Sequence, residues 1–214
     1  MVSPHFTISS AAILLSEFRA ATSNPRPELE DTPHSPNNQQ VPQPRPHWVA
    51  PPPGYSKINC DAAWNPPTSA RLGAIIRNSA GDFQCGSASS ATCGSAAEAE
   101  ASAVLLGVSL AVSYNLKMVQ VESDAKEIIT DLRGMGREKN WRTYPILEQI
   151  RRKAESFDDF KWDWIPREAN MAAHIAATLA NGSVGPLRWA NQPPPSLTLV
   201  LRNDGLPCPP MAEG

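Results

Sequence analysis

The sequence lacks any cysteine pattern able to organise a small fold. Its four cysteines, among 214 residues, are scattered, and no two of them form a Cys-x-x-Cys pair. Zinc sites and disulfide frameworks depend on close or regularly spaced cysteines. We therefore expect reduced thiols without a structural role at Cys60, Cys85, Cys93 and Cys208.

Long apolar runs and a strong charge of one sign are also missing. No apolar run approaches the roughly 18–20 residues that span a bilayer. The short AAILL stretch at 11–15 follows no basic segment, which argues against a secretory signal. The net charge of −2 gives no overall attraction to nucleic acid or to an anionic membrane. We expect a soluble, intracellular protein that does not bind membranes, and nothing in the sequence distinguishes nucleus from cytoplasm or indicates an oligomeric state.

Proline is scarce in the middle of the chain and abundant on both sides of it. Only four of the 22 prolines lie between residues 54 and 181. Proline interrupts helices and strand pairing, and the flanking segments contain few apolar residues to offset their ordering entropy. The predicted organisation is a mostly disordered Pro-rich segment over 1–53 with a short helix at 10–21, a folded domain over 54–181, and a disordered Pro-rich tail over 182–214.

The middle region shows a regular succession of strand and helix patterns. Alternating apolar residues predict a three-strand meander, and a long apolar helix over 96–114 follows it. A strand and short helix, an amphipathic helix, a further strand and a closing helix are predicted within 118–129, 143–157, 160–166 and 168–181. This order predicts a mixed α/β sheet with helices on both faces.

Helical geometry separates two glutamates of the long helix. Glu100 shares its face with Ala103 and Val104, whereas Glu98 shares its face with Ser102. A carboxylate at the head of a buried stripe is costly unless it is paired or coordinates a cation. Glu100 is therefore the candidate for a functional role, and Glu98 is expected to be solvated.

Two aspartates lie where predicted strands end. Taken alone, Asp61 fits a turn and Asp124 fits the cap of the following helix. If the first and fourth strands are parallel neighbours, however, both acids meet Glu100 at one edge of the sheet. Three clustered carboxylates repel one another, and a divalent cation resolves that repulsion. Oxygen ligands suit Mg²⁺ or Mn²⁺, and two ions about 3.5–4 Å apart suit phosphodiester hydrolysis.

Four segments resemble the ribonuclease H type-1 domain in order and spacing. They are KINCDAAW, AEAEASAVLLGVSLA, VQVESDAKEI and WIPREANMAAHIAATLA. The entry PPPGYSKINCDAAW and the exit REAN-x-x-AH-x-A most closely resemble the plant form found in non-LTR retroelement polyproteins and their isolated derivatives. The resemblance covers about 54–181. It implies the ribonuclease H-like fold, a five-stranded mixed sheet with an antiparallel meander, parallel strands and helices on both faces.

The resemblance also implies an activity, hydrolysis of the RNA strand of RNA–DNA hybrids without a small-molecule cofactor. The family holds two divalent ions with an Asp-Glu-Asp-Asp set, and its first three members correspond to Asp61, Glu100 and Asp124. His174 stands where the fourth carboxylate is expected. Because imidazole is a poorer ligand than carboxylate for Mg²⁺, an active enzyme with His174 as ligand should prefer Mn²⁺. The alternative is a half-buried histidine with no metal role.

Several residues near these acids are candidates for contacts with nucleic acid. Lys126, two residues after Asp124, can reach the scissile strand, and Arg167 and Asn170 are expected to order the last turn, with Asn170 as a helix cap. Trp64 is a candidate base-stacking platform, whereas Trp162 and Trp164 are expected in the core. The basic residues after the short helix and on the next one fit a solvated face or a substrate rim; these are Arg133, Arg137, Lys139, Arg142, Arg151, Arg152 and Lys153.

Two departures from the family pattern leave a second function open. Alanines follow Asp61, and Ala96 and Ala97 replace polar residues that contact the substrate in the family, so fewer hydrogen bonds to ribose 2′-hydroxyls are expected. Together with His174, they favour a catalytically weak or inactive module that binds nucleic acid or a partner. The three intact acids favour the enzyme.

Overall fold

The computed structural model describes residues 46–136, 140–181, 183 and 185–204. Within this part of the chain the strands are β1 (Ser56–Asn65), β2 (Ser69–Arg77), β3 (Phe83–Thr92), β4 (Met118–Ser123), β5 (Asp159–Trp164) and β6 (Leu187–Ala190). The helices are α1 (Ala96–Ser113), α2 (Lys126–Leu132), α3 (Tyr144–Ala154), α4 (Met171–Leu179) and α5 (Pro195–Asn203), with a 3₁₀ turn at Arg167–Ala169.

All six of these strands form one sheet in the order β5-β4-β1-β2-β3-β6. The meander β1-β2-β3 is antiparallel, while β4 runs parallel to both β1 and β5. The predicted ribonuclease H-like mixed sheet is therefore confirmed. It differs from the prediction by one strand, because β6 adds to the free edge of β3 in antiparallel orientation.

Helix α1 packs on one face of the sheet at unusually close range. A Cβ atom at Gly107 would lie 2.5 Å from the Cys60 Sγ atom and 2.8 Å from the Ile58 Cγ2 atom, so only glycine permits this approach. The helix is otherwise rich in buried alanines. This close contact brings the N-terminal turns of α1, including Glu100, to the edge of β1.

Helix α4 packs on the opposite face. A Cβ atom at Gly73 of β2 would lie 2.3 Å from the backbone nitrogen of Ala177 and 2.5 Å from the carbonyl oxygen of Ala173. Gly73 neighbours Ala74, whose side chain faces α1, and adjacent strand residues point to opposite faces. The sheet is therefore covered on both sides, as predicted.

By length and composition, α1 is apolar enough to cross a membrane, although no segment of the sequence was predicted to do so. Eight of its residues are buried inside the domain, where it packs against β1, β2 and α3. Its apolar character is that of the core helix of an α/β domain. It is the one helix of this kind in the part of the chain that the structure describes.

The prediction of a disordered tail over 182–214 is wrong for residues 185–204. Strand β6 pairs with β3, and α5 packs against α4 with Leu197, Val200 and Leu201 buried. These apolar residues recur at helical spacing, and the prolines of the described part of this segment precede α5 or begin its first turn, where no amide hydrogen bond is lost. Residues 205–214 lie outside the described residues.

The ordered domain also begins earlier than residue 54. Trp48 is 2% exposed, and its indole nitrogen donates a hydrogen bond to the Asn59 Oδ1 atom at 2.8 Å. The predicted boundaries at 54 and 181 are thus too narrow on both sides. Residues 1–45, including the helix predicted at 10–21, lie outside the described residues.

A buried arginine joins both extensions to the sheet. Arg77 of β2 donates to Asp204, at the end of α5, at 2.6 Å and to Asn59 at 3.1 Å, and its guanidinium lies 3.5 Å from the ring centroid of Trp48. Burial lowers the pKa of Arg77 and raises that of Asp204, so each charge is desolvated and depends on its partner. Loss of either side chain would leave a buried charge unpaired.

We predict that Asp204→Ala lowers the free energy of unfolding by about 3–5 kcal/mol, because Arg77 would keep its buried charge without a counter-ion. The measurement is urea unfolding of the full chain. Glu148→Ala, which breaks the exposed Arg151–Glu148 pair on α3, is the control and should cost less than about 1 kcal/mol. Equal losses for the two variants would contradict the role assigned to the buried pair.

Candidate active site

Three carboxylates meet at the edge of the sheet where β1 and β4 run side by side. Cys60 pairs with Ser123 in this parallel ladder, so the next residues, Asp61 and Asp124, leave the ladder at the same level. Glu100 reaches them from α1. One carboxylate oxygen of each acid lies within 4.8 Å of the others. The predicted clustering of these acids is confirmed.

Asp61 does not occupy the turn, and Asp124 does not form the helix cap, that each residue taken alone would suggest. Asp61 lies inside β1 and is 2% exposed, rather than occupying a turn. Asp124 does not cap α2, whose N-cap position is Ala125 with no side-chain cap hydrogen bond. The Ser123 hydroxyl instead accepts a hydrogen bond from the amide of Ala125 at 3.1 Å. The Asp124 carboxylate is thus left for other partners.

Glu98 binds backbone amides at the start of α1, whereas Glu100 reaches the other two acids. The Ser95 hydroxyl accepts a hydrogen bond from the Glu98 amide at 3.2 Å, and the Glu98 carboxylate accepts one from the Gly94 amide at 2.8 Å. These bonds satisfy amides at the start of α1. The choice of Glu100 over Glu98 agrees with the structure, although Glu98 is a half-buried capping residue rather than a freely solvated one.

The electrostatics of the cluster favour a bound cation. Burial, followed by the charges of Asp61 and Asp124, raises the pKa of Glu100 to about 8 against the opposing effects of the Ala62 amide and Arg167. Burial and the charge of Asp61 likewise raise the pKa of Asp124. The Glu100 Oε2 atom is buried without a hydrogen-bond partner. An orphaned oxygen among three crowded carboxylates fits a divalent ion such as Mg²⁺ or Mn²⁺.

The turn before α4 brings three polar residues to these acids. The Asn170 amide nitrogen donates to the Cys60 carbonyl and to the Asp124 Oδ1 atom, both at 2.9 Å. Asn170 occupies the predicted N-cap position of α4, but its side chain holds Asp124 instead of capping the helix. The His174 Nδ1 atom lies 2.8 Å from the Asp61 Oδ2 atom, and Arg167 contacts the His174 ring.

The tryptophans are arranged differently from the prediction. Trp64 packs against the hydrophobic core, and its indole nitrogen donates to the Cys93 carbonyl at 2.9 Å. Trp162 is buried as expected, whereas Trp164 is 45% exposed and donates to the backbone carbonyl of Asp124 at 3.1 Å. Strand alternation put Trp164 with Trp162, but Trp164 is the last residue of β5 and its side chain remains exposed there. The Lys126 ammonium lies 5.6 Å from the centroid of the Trp164 ring.

Two of the five described members of the basic cluster are held by hydrogen bonds and ion pairs within the protein. Arg133 binds the Trp162 carbonyl and Asp163, and Arg151 binds Glu148 and the Asp131 carbonyl. Arg142 differs, because its guanidinium lies 4.7 Å from the centroid of the exposed Trp141 ring. Arg137 and Lys139 lie outside the described residues. A groove beside the acids is lined by Ala97, Lys126 and Trp141, among others.

The sheet topology and the three acids, which lie within β1, directly after β4 and in the first turns of α1, define a ribonuclease H-like domain. Solved structures agree. RNase H1 from Halobacterium salinarum NRC-1 superposes with a TM-score of 0.57 at 18% identity, over 59% of this chain and 97% of its own. The N-terminal RNase H domain of Mycobacterium tuberculosis Rv2228c, as a fusion with maltose-binding protein, gives 0.56 at 20%, over 59% and 92%. LC11-RNase H1 in complex with an RNA/DNA hybrid gives 0.54 at 19%, over 58% and 95%.

The amino-acid sequence identifies the family to which the chain belongs. A family described as "Reverse transcriptase-like" matches residues 59–180, more than half of the chain, and the chain belongs to that family. No curated protein matches the chain. The structural likeness, at identities near 20%, shows the fold.

The raised pKa of Glu100 predicts a pH-dependent stability without divalent ions. Folded Glu100 retains a proton that the unfolded chain releases, so its contribution is complete below the ordinary pKa of 4.5 and is lost as the pH rises through about 8. Glu100→Gln should therefore stabilise the protein at pH 9, by on the order of 3 kcal/mol, and leave it unchanged at pH 4.

The measurement is thermal unfolding in EDTA at both pH values. Glu148→Gln, on the exposed face of α3, makes the same chemical change away from the acids and should show no gain at pH 9. Equal melting temperatures for wild type and Glu100→Gln at pH 9 would show that burial and the neighbouring charges do not destabilise the ionised Glu100 carboxylate.

Proposed function

We propose that this protein is a divalent-metal-dependent endonuclease that hydrolyses the RNA strand of RNA–DNA hybrids. The observation that carries the proposal is the cluster of Asp61, Glu100 and Asp124, with an unpartnered buried oxygen on Glu100. The fold, and the hybrid bound by the similar LC11-RNase H1, support the same substrate class. The motif REAN-x-x-AH-x-A supports a plant retroelement origin of the domain.

The proposed roles follow from the contacts of each residue. Asp61, Glu100 and Asp124 hold Mg²⁺ or Mn²⁺, and Asn170 orients the Asp124 carboxylate through its 2.9 Å hydrogen bond. His174 is the fourth member of the set and contacts the ion site through Asp61. When bound, divalent ions supply an activated water and stabilise charge on the phosphate and the leaving 3′-oxygen.

Contacts with the nucleic acid are proposed around the same edge. Lys126 and Arg167 are exposed beside the acids and can neutralise phosphates. The groove that Ala97 and Lys126 line extends to the exposed Trp141, which provides an aromatic surface next to Arg142. Trp64 retains a partly exposed ring for base stacking, and Trp164 offers a more exposed one closer to Asp124.

We predict that the full chain cleaves a labelled RNA–DNA hybrid in Mg²⁺ or Mn²⁺, and that Asp124→Asn lowers the rate by at least about 100-fold, because one ion ligand loses its charge. Asp163→Asn, a carboxylate on the adjacent strand β5, is the matched control and should retain most of the activity. Cleavage that is equal in Asp124→Asn and wild type would rule out this active site.

A second prediction concerns the fourth position. His174→Asp supplies an oxygen ligand in place of a nitrogen, so Mg²⁺-dependent cleavage of the hybrid should rise, on the order of 10-fold. The rate in Mg²⁺ and in Mn²⁺ is measured for both proteins. Equal or lower activity of the variant in Mg²⁺ would count against a role of this position in the ion site.

The alternative function is a catalytically weak or inactive module that binds nucleic acid or a protein partner. The observation in its favour is the imidazole of His174 bound to Asp61 where the family has a carboxylate. The cleavage assay separates the two functions when it is combined with a binding measurement on the same hybrid. Tight binding without cleavage in either ion identifies the module, and cleavage abolished by Asp124→Asn identifies the enzyme.

A further inference from the structure

A second cluster of buried polar side chains lies on β1 and β2, further along the sheet from the active-site edge. Alternate residues of a strand share a face, so Lys57 and Asn59 lie on the same side of β1 as Asp61. Arg77 of β2 pairs with Lys57 and joins this side. Lys57 is 4% exposed, and Asn59 and Arg77 are fully buried. We call Lys57, Asn59 and Arg77 the polar floor.

Residues 46–53 cover this polar floor. None of residues 46–52 belongs to a helix or strand, and the whole segment precedes the family match, which begins at residue 59. Its two buried residues are Trp48 and Pro51. A spacing of three residues places both on one side of a polyproline II helix, a conformation that prolines favour and that has no internal hydrogen bonds. The segment therefore resembles a docked peptide more than an element of the sheet.

Three contacts hold this segment on the polar floor. The Trp48 indole nitrogen donates to the Asn59 Oδ1 atom at 2.8 Å, and the Arg77 guanidinium lies 3.5 Å from the ring centroid. The Lys57 ammonium donates to the backbone carbonyl of Val49 at 2.6 Å, whereas the Val49 side chain is 61% exposed. The floor thus contacts a planar ring, the N–H group on that ring and the carbonyl of the next residue. Any extended peptide with a tryptophan offers the same three groups.

The polar floor has partners of its own that do not belong to the segment. Lys57 pairs with Glu122 at 2.5 Å, the Asn59 amide donates to Glu122 at 2.9 Å, and Arg77 pairs with Asp204 at 2.6 Å. The Arg77 Nε atom is buried without a hydrogen-bond partner under the docked segment. Water that enters an open cleft would hydrate these charges and this N–H group, which lowers the cost of opening. Opening an apolar core has no such compensation, because it exposes apolar surface.

We infer that the polar floor is a peptide-binding site for a tryptophan in an extended, proline-rich segment. Residues 46–53 are its ligand within the chain, and they are released while the sheet stays folded. The site is separate from the three acids, so it stands or falls independently of the proposed function. A tethered ligand acts at a high effective concentration, so a free peptide competes well only when the tethered segment has lost its tryptophan.

The test supplies the ligand as a free peptide. The full chain with Trp48→Ala is titrated with PHWVAPPP, the sequence of residues 46–53, in an isothermal titration calorimeter. We expect this peptide to bind the variant and to raise its melting temperature, and to bind wild type at least about 10-fold more weakly. PHFVAPPP lacks the N–H donor and should bind the variant about 10-fold more weakly than PHWVAPPP. PHAVAPPP should not bind measurably.

Trp141→Ala is the matched control, because it removes an exposed tryptophan that lies beside Arg142 and away from the polar floor. It should bind PHWVAPPP no better than wild type does. A folded Trp48→Ala variant that binds none of the peptides, or all three equally, would overturn the inference. An unfolded Trp48→Ala variant, recognised by circular dichroism, would overturn it as well, because the sheet would then depend on the segment.

A measurement on the wild type tests the release itself. Hydrogen exchange of the Trp48 indole N–H, identified by its absence in Trp48→Phe, is compared with exchange of the core amides of Ile58 and Ile75. After correction for intrinsic rates, we expect at least about 100-fold less protection at Trp48 and little response to low urea, because a local opening exposes little surface. Equal protection at all three sites would show that the segment leaves only when the whole domain unfolds.

Discussion

Mutual repulsion of three partly desolvated carboxylates is the constraint on which the active-site edge depends. Burial, together with the mutual repulsion of Asp61, Glu100 and Asp124, raises the free energy of the charged site, and the two effects raise the pKa of Glu100 to about 8. The fold maintains this arrangement because each acid is attached to an element that is well packed elsewhere. The hydrogen bonds from Asn170 and His174 offset part of the cost, and a cation offsets more of it.

The scaffold tolerates this repulsion because the core behind it is close-packed. Gly107 lets α1 approach β1, and Gly73 lets α4 approach β2. At both contacts there is no room for a Cβ atom between the helix and the sheet. On the other side of the molecule, the buried Arg77–Asp204 pair connects α5 to the meander. Charge is therefore buried at two places, but Arg77 has a carboxylate counter-ion in Asp204, whereas Glu100 keeps a buried oxygen without a hydrogen-bond partner among other acids.

Most of the fold could be predicted from the sequence, because strand alternation and helix periodicity are strong between β1 and α4. The meander, the mixed sheet and the choice of Glu100 over Glu98 follow from such patterns, whereas the parallel pairing of β1 with β4 was only a condition of the argument and is given by the structure. The prediction was wrong where composition was used in place of pattern. Prolines suggested a disordered tail, yet the spaced apolar residues Leu197, Val200 and Leu201 form the buried face of α5. Trp164 was misassigned because alternation gives the side of the strand on which a residue lies but not how deeply the last residue of β5 is buried.

The sequence by itself determined which acids are candidates, since the order of strands and the face of each helical residue are local properties of the chain. Only the tertiary structure decided how their neighbours are used. The Asn170 side chain binds Asp124 instead of capping α4, and the His174 ring contacts both Asp61 and Arg167. The contacts with Asp124 and Asp61 join residues that are 46 and 113 positions apart in the chain. A local pattern carries no information about such partners, because they are selected by the packing of α4 against the sheet.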